Sequence, residues 1–185
     1  LGSADQDPLL IRWSDQESVV DWTPTAINTA GDMRLSQGSE IITAVRTRRE
    51  TLVWTDHTLH SIQFIGPPYT FGTALLADNT KIAGPNTAMA INDLVYWMGY
   101  QNFYVYDGRV NVLPCSVRSY VFDDLNRQQS FKFHVGSVSI HSEVWWFYCS
   151  ADSTEIDRYV IFNYLDRVWY FGTLVRTTLN LSLIH

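Results

Sequence analysis

The chain has 185 residues, of which 46% are apolar and 14% aromatic, and its net charge is −6. This apolar fraction supports a packed core and excludes a disordered chain. No apolar run is long enough to span a bilayer, and the first residues carry no signal-peptide pattern. Seven Trp and many other aromatic side chains suit pleated sheets and subunit interfaces, so the composition predicts an all-β fold.

The basic residues do not predict a phosphate-binding surface, which needs clustered Lys and Arg on an overall basic chain. The one cluster, Arg46, Arg48 and Arg49, lies between two apolar runs and alternates with Thr47. That pattern predicts a solvated hairpin turn.

In chain order, the first β-rich pattern lies in residues 10–27. Two short runs, at residues 11–14 and 19–24, are typical of a hairpin. Their layout matches the second hairpin of three later repeats, so we interpret residues 10–27 as the end of a preceding repeat.

Three further segments, residues 40–72, 85–114 and 135–178, share one layout. Each contains a β-rich run, a polar turn, a strand with Trp near its end, and then a second hairpin. Their tryptophans, at positions 54, 97 and 146, lie about 43 and about 49 positions apart, a period typical of four-stranded propeller blades.

The sequence therefore predicts an antiparallel β-propeller with about three blades and part of a fourth. A propeller closes with about four to eight blades. We therefore expect this chain to be a fragment of a larger propeller, completed by its parent chain or by another subunit. Large aromatic side chains should fill the space between blades, and the predicted core residues are Trp54, Trp97, Trp146, Trp169, Tyr96 and Tyr159.

Residues 115–134 interrupt the repeat between the second and third blades. Near-helical apolar spacing at residues 121–129 and a possible Asp cap predict a short helix or an ordered loop on the rim. Insertions of this kind often carry partner contacts, and the candidates here are Phe122, Asp123, Asp124, Leu125 and Arg127.

The acidic residues do not predict a catalytic pair. Most fall in turns, where Asp bonds its own backbone: Asp56, Asp93, Asp107, Asp152 and Asp166. Asp123 and Asp124 are adjacent, and neighbours on a helix point in different directions. Because glycoside hydrolysis needs two carboxylates facing one cavity, we predict that the chain is not an enzyme.

The His and Cys residues do not predict a metal site. His57 and His60 have no third ligand at a useful spacing, so a hairpin turn explains them better than zinc does. Cys115 and Cys149 are far apart and lie beside apolar runs, which favours reduced core residues over a disulfide. We therefore predict no metal and no cofactor.

Charges inside strand-like runs are rare, namely Glu143 and the neighbours Asp157 and Arg158. We interpret them as a structural ion pair at a blade edge. There is no Gly-x-Ser-x-Gly elbow and no phosphate loop that would give them a catalytic setting.

Several short sequence segments resemble the β-propeller region of bacteriophage tail and packaged-DNA stabilisation proteins, the nozzle or tail-hub components of short-tailed phages. The resemblance covers most of residues 10–178 and does not extend to residues 179–185. The segments that show this resemblance lie at residues 66–72, 95–99, 102–109, 113–115, 121–126, 157–160 and 169–172.

The resemblance implies a structural virion protein that is made in the bacterial host cytoplasm. It implies a homo-oligomeric ring, commonly a hexamer, below the portal and adaptor proteins of the tail. DNA would pass through the lumen of this ring without sequence-specific binding, and an acidic lumen would repel it.

Two other functions remain open from the residues. A carbohydrate-binding or carbohydrate-acting propeller would show a concave pocket lined by exposed Trp or Tyr with convergent carboxylates. A cellular protein-interaction propeller would normally show a tighter repeat, and the Gly-His…Trp-Asp signature is missing here.

Overall fold

The structure is a computed structural model, and it describes residues 7–174. In this range the chain is mostly antiparallel β-strand, arranged in four sheets of two to four strands, with few helical turns. It divides after Lys81 into a first and a second compact unit. The prediction of an all-β antiparallel fold is confirmed. None of the described helices has the length and apolar character needed to cross a membrane.

The first unit contains a two-stranded sheet and a four-stranded meander, both antiparallel. The two-stranded sheet pairs β1 (Leu10–Trp13) with β2 (Gly31–Arg34). The meander consists of β3 (Ile41–Arg46), β4 (Thr51–Thr55), β5 (Thr58–Gly66) and β6 (Thr70–Asp78). The basic cluster lies at the β3–β4 turn with its Arg side chains exposed, as the charge pattern predicted.

The predicted hairpin within residues 10–27 is wrong, because β1 pairs with β2 and residues 19–24 form no strand. Local hydrogen bonds hold that segment as an exposed loop. The Asp15 N–H donates to the Asp21 carbonyl at 2.8 Å, and the Trp22 indole donates to the Val19 carbonyl at 3.0 Å. Such short-range bonds offer the backbone an alternative to sheet pairing.

The second unit contains two four-stranded antiparallel meanders joined by a helical segment. The first meander consists of β7 (Ala88–Ile91), β8 (Leu94–Met98), β9 (Phe103–Tyr106) and β10 (Val110–Leu113). The second consists of β11 (His134–Val138), β12 (Glu143–Tyr148), β13 (Arg158–Asn163) and β14 (Val168–Thr173). The joining segment holds α1 (Arg118–Phe122) and a 3-10 helix (Arg127–Lys132), and a second 3-10 helix (Ser139–His141) links β11 to β12.

Each four-stranded meander carries a Trp as the fourth residue of its second strand. Trp54 lies on β4, Trp97 on β8 and Trp146 on β12, and all three side chains are 0% exposed. In β4 and β8 every residue after the first is buried, so both faces of these strands are covered. The repeat of the sequence is therefore present in the structure as three strands in equivalent positions.

Tight turns set the register of the meanders. Asn92 and Asp93, between β7 and β8, both have positive φ, of 50° and 66°. Two-residue hairpins of this twist require that conformation, and Asn and Asp adopt it more readily than other residues with a Cβ. At the β9–β10 turn, Gly108 supplies it with φ of 104°.

The two meanders of the second unit share one apolar core, and two indoles link them. The Trp146 N–H donates to the Thr87 carbonyl just before β7 at 3.0 Å, and the Trp169 N–H donates to the Pro114 carbonyl just after β10 at 2.8 Å. Phe103 packs against both indoles with ring centroids 4.7 Å apart. The buried indole donors are therefore satisfied across the interface between the sheets.

Replacement of a second-strand Trp should destabilise the fold strongly. We expect Trp97→Ala to lower the free energy of unfolding by about 3–5 kcal/mol, since it leaves a large cavity in a strand covered on both faces. The matched control is Trp22→Ala, at a site 46% exposed, for which we expect a change near 0.5 kcal/mol. Urea unfolding followed by circular dichroism measures both. Equal midpoints for Trp97→Ala and the unsubstituted chain would contradict the core assignment.

Candidate functional site

The predicted core residues lie at packed positions. Tyr96 and Trp169 are buried in the core of the second unit, beside Trp146. Tyr159 is half-buried at the margin of this core, where its ring stacks on Trp145 at 5.1 Å. These side chains serve packing and leave other positions for binding.

The insertion between the second and third four-stranded meanders contributes to the core. Phe122 and Leu125 are only 8% and 9% exposed and pack in the apolar core of the second unit. The prediction that these two residues form a partner contact is wrong, because their side chains are already covered by this chain. The near-helical spacing of apolar residues at positions 121–129 is explained by this burial in the core.

The polar residues of the insertion lie outside that core. Asp123 is exposed, and Arg127 is exposed with its guanidinium 5.7 Å from the Tyr100 ring centroid. Asp124 is half-buried; it accepts a hydrogen bond from the Ala151 N–H and its carboxylate lies 3.4 Å from Arg158.

The predicted Asp cap is also wrong. Asp123 follows the last residue of α1 and its N–H donates to the Ser119 carbonyl at 3.0 Å. The capping side chain is Asn126, which accepts from the Gln128 N–H at 3.2 Å at the start of the 3-10 helix. Asn fills this role as well as Asp does.

His57 and His60 face different partners. His57 is exposed and its Nδ1 lies 2.5 Å from the Asp56 carboxylate. His60 is buried, with its Nε2 2.9 Å from the Thr58 hydroxyl, which lies 2.7 Å from the Thr55 hydroxyl. Within residues 7–174, no three His, Cys, Asp or Glu side chains converge in a way that could hold a metal ion.

Two Asp carboxylates hold loops by the same pair of hydrogen bonds. Asp56 accepts from the Ser39 N–H at 2.7 Å and the Ser39 hydroxyl at 2.6 Å, and Asp157 accepts from the corresponding groups of Ser150 at 2.8 and 2.6 Å. Burial acts to raise the pKa of Asp56, but the bonds from Ser39 and the nearby His57 lower it to about 2. Carboxylates this well satisfied stabilise loops and are poorly suited to proton transfer.

The charged residues embedded in strands separate into two groups. Arg158 lies between the carboxylates of Asp124, at 3.4 Å, and Asp157, at 4.0 Å. Glu143 is at the opposite end of the sheet and accepts a hydrogen bond from the Trp145 indole at 2.9 Å. The expected ion pair therefore forms around Arg158, and Glu143 orients an aromatic ring.

Both cysteines carry free thiols. Burial raises the pKa of Cys115 and that of Cys149 to about 11. Because the thiolate is the nucleophile and the metal ligand, neither side chain is activated near neutral pH.

A cleft of about 420 Å³ opens in the second unit beside the β9–β10 and β13–β14 turns, and we call it the turn cleft. The sequence did not predict it. Its volume lies within the range of about 300–1,000 Å³ typical of small-molecule sites. Its lining residues are Leu94, Tyr96, Val105, Asp107, Asn111, Val112, Leu113, Pro114, Phe162, Tyr164 and Arg167.

Two tyrosines, Tyr96 and Tyr164, and two charged residues, the acidic Asp107 and the basic Arg167, define the chemistry of the turn cleft. The rings of Tyr96 and Tyr164 stack with centroids 6.4 Å apart and planes inclined by 23°. Burial raises the pKa of Tyr96, and Tyr164 raises it further while Arg167 opposes the shift, so the phenol is a neutral donor. Asp107 is the one carboxylate among the described lining residues.

Two groups of exposed apolar side chains lie on the surface of the described residues. The tip patch, at the end of the β5–β6 hairpin, contains Phe64, Ile65 and Tyr69, which are 70%, 57% and 74% exposed. The β14 patch, on the last strand of the second unit and the neighbouring α1, contains Tyr120, Val168, Tyr170 and Phe171, all exposed. Exposed aromatic groups of this kind are candidates for protein contacts.

No protein-family model matches the chain, and no curated protein is similar to it. The relationship to phage tail proteins therefore stays a prediction from the short sequence segments that resemble them.

The buried His60 should make the stability of the chain fall with acidification. Burial lowers its pKa below the ordinary 6.5, so the folded state favours the neutral ring. Stability is then fully present above pH 6.5 and decreases as the pH falls below that value, because the unfolded chain binds the proton more readily. Thermal midpoints at about pH 7.5 and about pH 5.5 measure the loss.

The control for this prediction is the exposed His141. We expect the midpoint to fall less between the two pH values in His60→Gln than in the unsubstituted chain, and to fall equally in His141→Gln. An unchanged pH dependence in His60→Gln would contradict the assignment.

Proposed function

We propose that this chain is a structural component of a bacteriophage tail, in which a β-propeller region assembles into a ring around the DNA path. The observation that carries the proposal is the three-fold occurrence of a four-stranded antiparallel meander with a buried Trp as the fourth residue of its second strand. A four-stranded antiparallel sheet is the unit from which propeller blades are built, and this likeness supports the proposal.

The packing in the second unit supports the propeller. Its two meanders follow one another in the chain and bury one common core, and indoles of the later sheet bond carbonyls that flank the earlier one. Blades that stack through their faces require this kind of contact. About three blades do not close a propeller, so the remaining blades belong to the parent chain or to another subunit.

The exposed aromatic groups support assembly into a ring. A ring of identical chains joins one surface of each copy to a different surface of the next. The tip patch on the first unit and the β14 patch on the second unit provide two such unlike surfaces. Both contain Tyr and Phe, which are enriched at the centres of protein interfaces.

The charge and the cleft favour a passive conduit over an enzyme. The net charge of −6 would repel DNA phosphates from a lumen and let DNA slide past. The described part of the turn cleft contains one carboxylate, Asp107, where glycoside hydrolysis needs two. The hexameric ring, the portal and adaptor partners, the virion location and synthesis in the bacterial cytoplasm follow from the resemblance.

Assembly tests the ring. We expect the full-length protein that contains this chain to form a ring-shaped oligomer at about 10 µM, and Phe64→Ser combined with Tyr69→Ser to shift it towards the monomer by mass action. Because these side chains are exposed, the substitutions should leave the fold intact. Light scattering after size exclusion gives the mass, and negative-stain electron microscopy gives the shape.

The control is Ile140→Ser, at an apolar site that is 81% exposed and outside both patches. It should leave the oligomer unchanged. A monomeric unsubstituted full-length protein, or an oligomer equally weakened by Ile140→Ser, would contradict the ring.

A second experiment tests the phage assignment. Mass spectrometry of purified short-tailed particles whose genome encodes this chain should detect its peptides at a constant ratio to the portal protein. Detection only in the soluble lysate, with none in the particles, would show that the protein is not a virion component.

A further inference from the structure

We propose that the turn cleft binds a saccharide, with a pyranose ring held against Tyr164 and its hydroxyl groups bonded by Asp107, Asn111 and Arg167. This proposal does not depend on the tail assignment or on the ring. It rests on the shape of the cleft, on its aromatic floor and on polar groups that the fold leaves available.

The floor of the turn cleft suits the apolar face of a sugar. Tyr96 is buried beneath the half-buried Tyr164, and the two rings are nearly parallel. Tyr96 also packs against Phe162 at 6.1 Å, which fixes the floor from below. A pyranose presents C–H bonds on its face and hydroxyl groups on its rim, so it can bury one surface on a ring while its edges make hydrogen bonds.

The polar groups around the floor offer both donors and acceptors. In the Asp107 carboxylate, Oδ1 accepts from the Arg109 N–H at 3.2 Å and from the Asn111 amide at 3.3 Å. No group within residues 7–174 donates to Oδ2, which is available for a ligand hydroxyl. The Arg167 side chain lines the cleft and is exposed, and none of the ion pairs among the described residues includes it, so its guanidinium can donate to ligand oxygens.

This combination favours a neutral polyol over the other ligands of similar size. A phosphate or a simple carboxylate would meet the Asp107 charge as well as the Arg167 charge, so the cleft gains little from ligand charge. A purely apolar ligand would remove water from the exposed Asp107 and Arg167 side chains without replacing the hydrogen bonds of that water, which is costly. Sugar hydroxyl groups can donate to the Asp107 carboxylate and accept from the Arg167 guanidinium.

The turns that carry these groups are held in place before any ligand arrives. Asn163 accepts from the N–H groups of Leu165 and Asp166 at 3.0 and 2.9 Å, and Arg167 then adopts φ of 57°. On the other side, Gly108 allows the tight turn after Asp107. Preorganised groups lose little entropy on binding, which increases affinity.

The test is ligand-observed saturation-transfer NMR, which tolerates large assemblies. The probes are maltose, lactose, cellobiose and digalacturonate, each titrated into the 185-residue chain. We expect at least one neutral disaccharide to receive saturation, with a dissociation constant on the order of 1 mM. Saturation of digalacturonate alone would overturn the choice of a neutral ligand, and saturation of none would overturn the site.

Substitutions locate the binding. Tyr164→Ala should weaken it by at least about tenfold, whereas Tyr164→Phe, which keeps the ring face, should retain most of it. Asp107→Asn should also weaken binding, since it removes the charged acceptor. Equal binding by Tyr164→Ala and the unsubstituted chain would place the ligand elsewhere and overturn the proposal.

The control variant is Tyr69→Ala, which removes an exposed Tyr from the tip patch. It should leave saccharide binding unchanged while it weakens the proposed ring. Conversely, Tyr164→Ala should leave the ring intact, so failure of one proposal is distinguishable from failure of the other. Loss of saccharide binding in Tyr69→Ala would overturn the assignment to the turn cleft.

Discussion

Burial of a large indole in the second strand of each meander is the constraint on which the rest of the structure depends. A Trp that is 0% exposed within a four-stranded sheet must be covered by something on the face from which it projects. In the second unit, Trp146 meets this requirement by packing on Phe103 and donating to the Thr87 carbonyl of the preceding meander. One side chain therefore supplies apolar area and also satisfies a buried donor between two sheets.

The sequence predicted the features that local chemistry determines. Apolar runs ending in Trp predicted the second strands, and the adjacent Asn92 and Asp93 fit the positive φ that a two-residue hairpin demands. The period of the tryptophans predicted that these strands are equivalent. The strand and turn signals each span a few neighbouring residues, and the tryptophan period repeats along the chain, so a single sequence is enough to detect them. The all-β class followed from the same patterns.

The features that the sequence missed depend on partners distant along the chain. The run at residues 19–24 has the composition of a strand, yet β1 pairs with residues 31–34, and local bonds keep the run exposed. Phe122 and Leu125 looked available for a partner because nothing nearby in the sequence covers them; β-strands from both meanders of the second unit do so. The turn cleft was invisible for the same reason, since Asp107 and Arg167 belong to different hairpins.

The same constraint decides where function can reside. Central strands covered on both faces leave few side chains for ligands, so exposed polar and aromatic groups lie mainly in the turns and on the last strand. The turns carry Asp and Asn because positive φ and backbone hydrogen bonding favour short polar side chains there, and the last strand carries exposed Tyr and Phe. The carboxylates with the tightest partners, Asp56 and Asp157, are committed to holding loops. The exposed aromatic side chains and the polar turns are therefore the places where the proposed assembly and the proposed ligand binding would occur, because the other side chains of the strands are committed to the core.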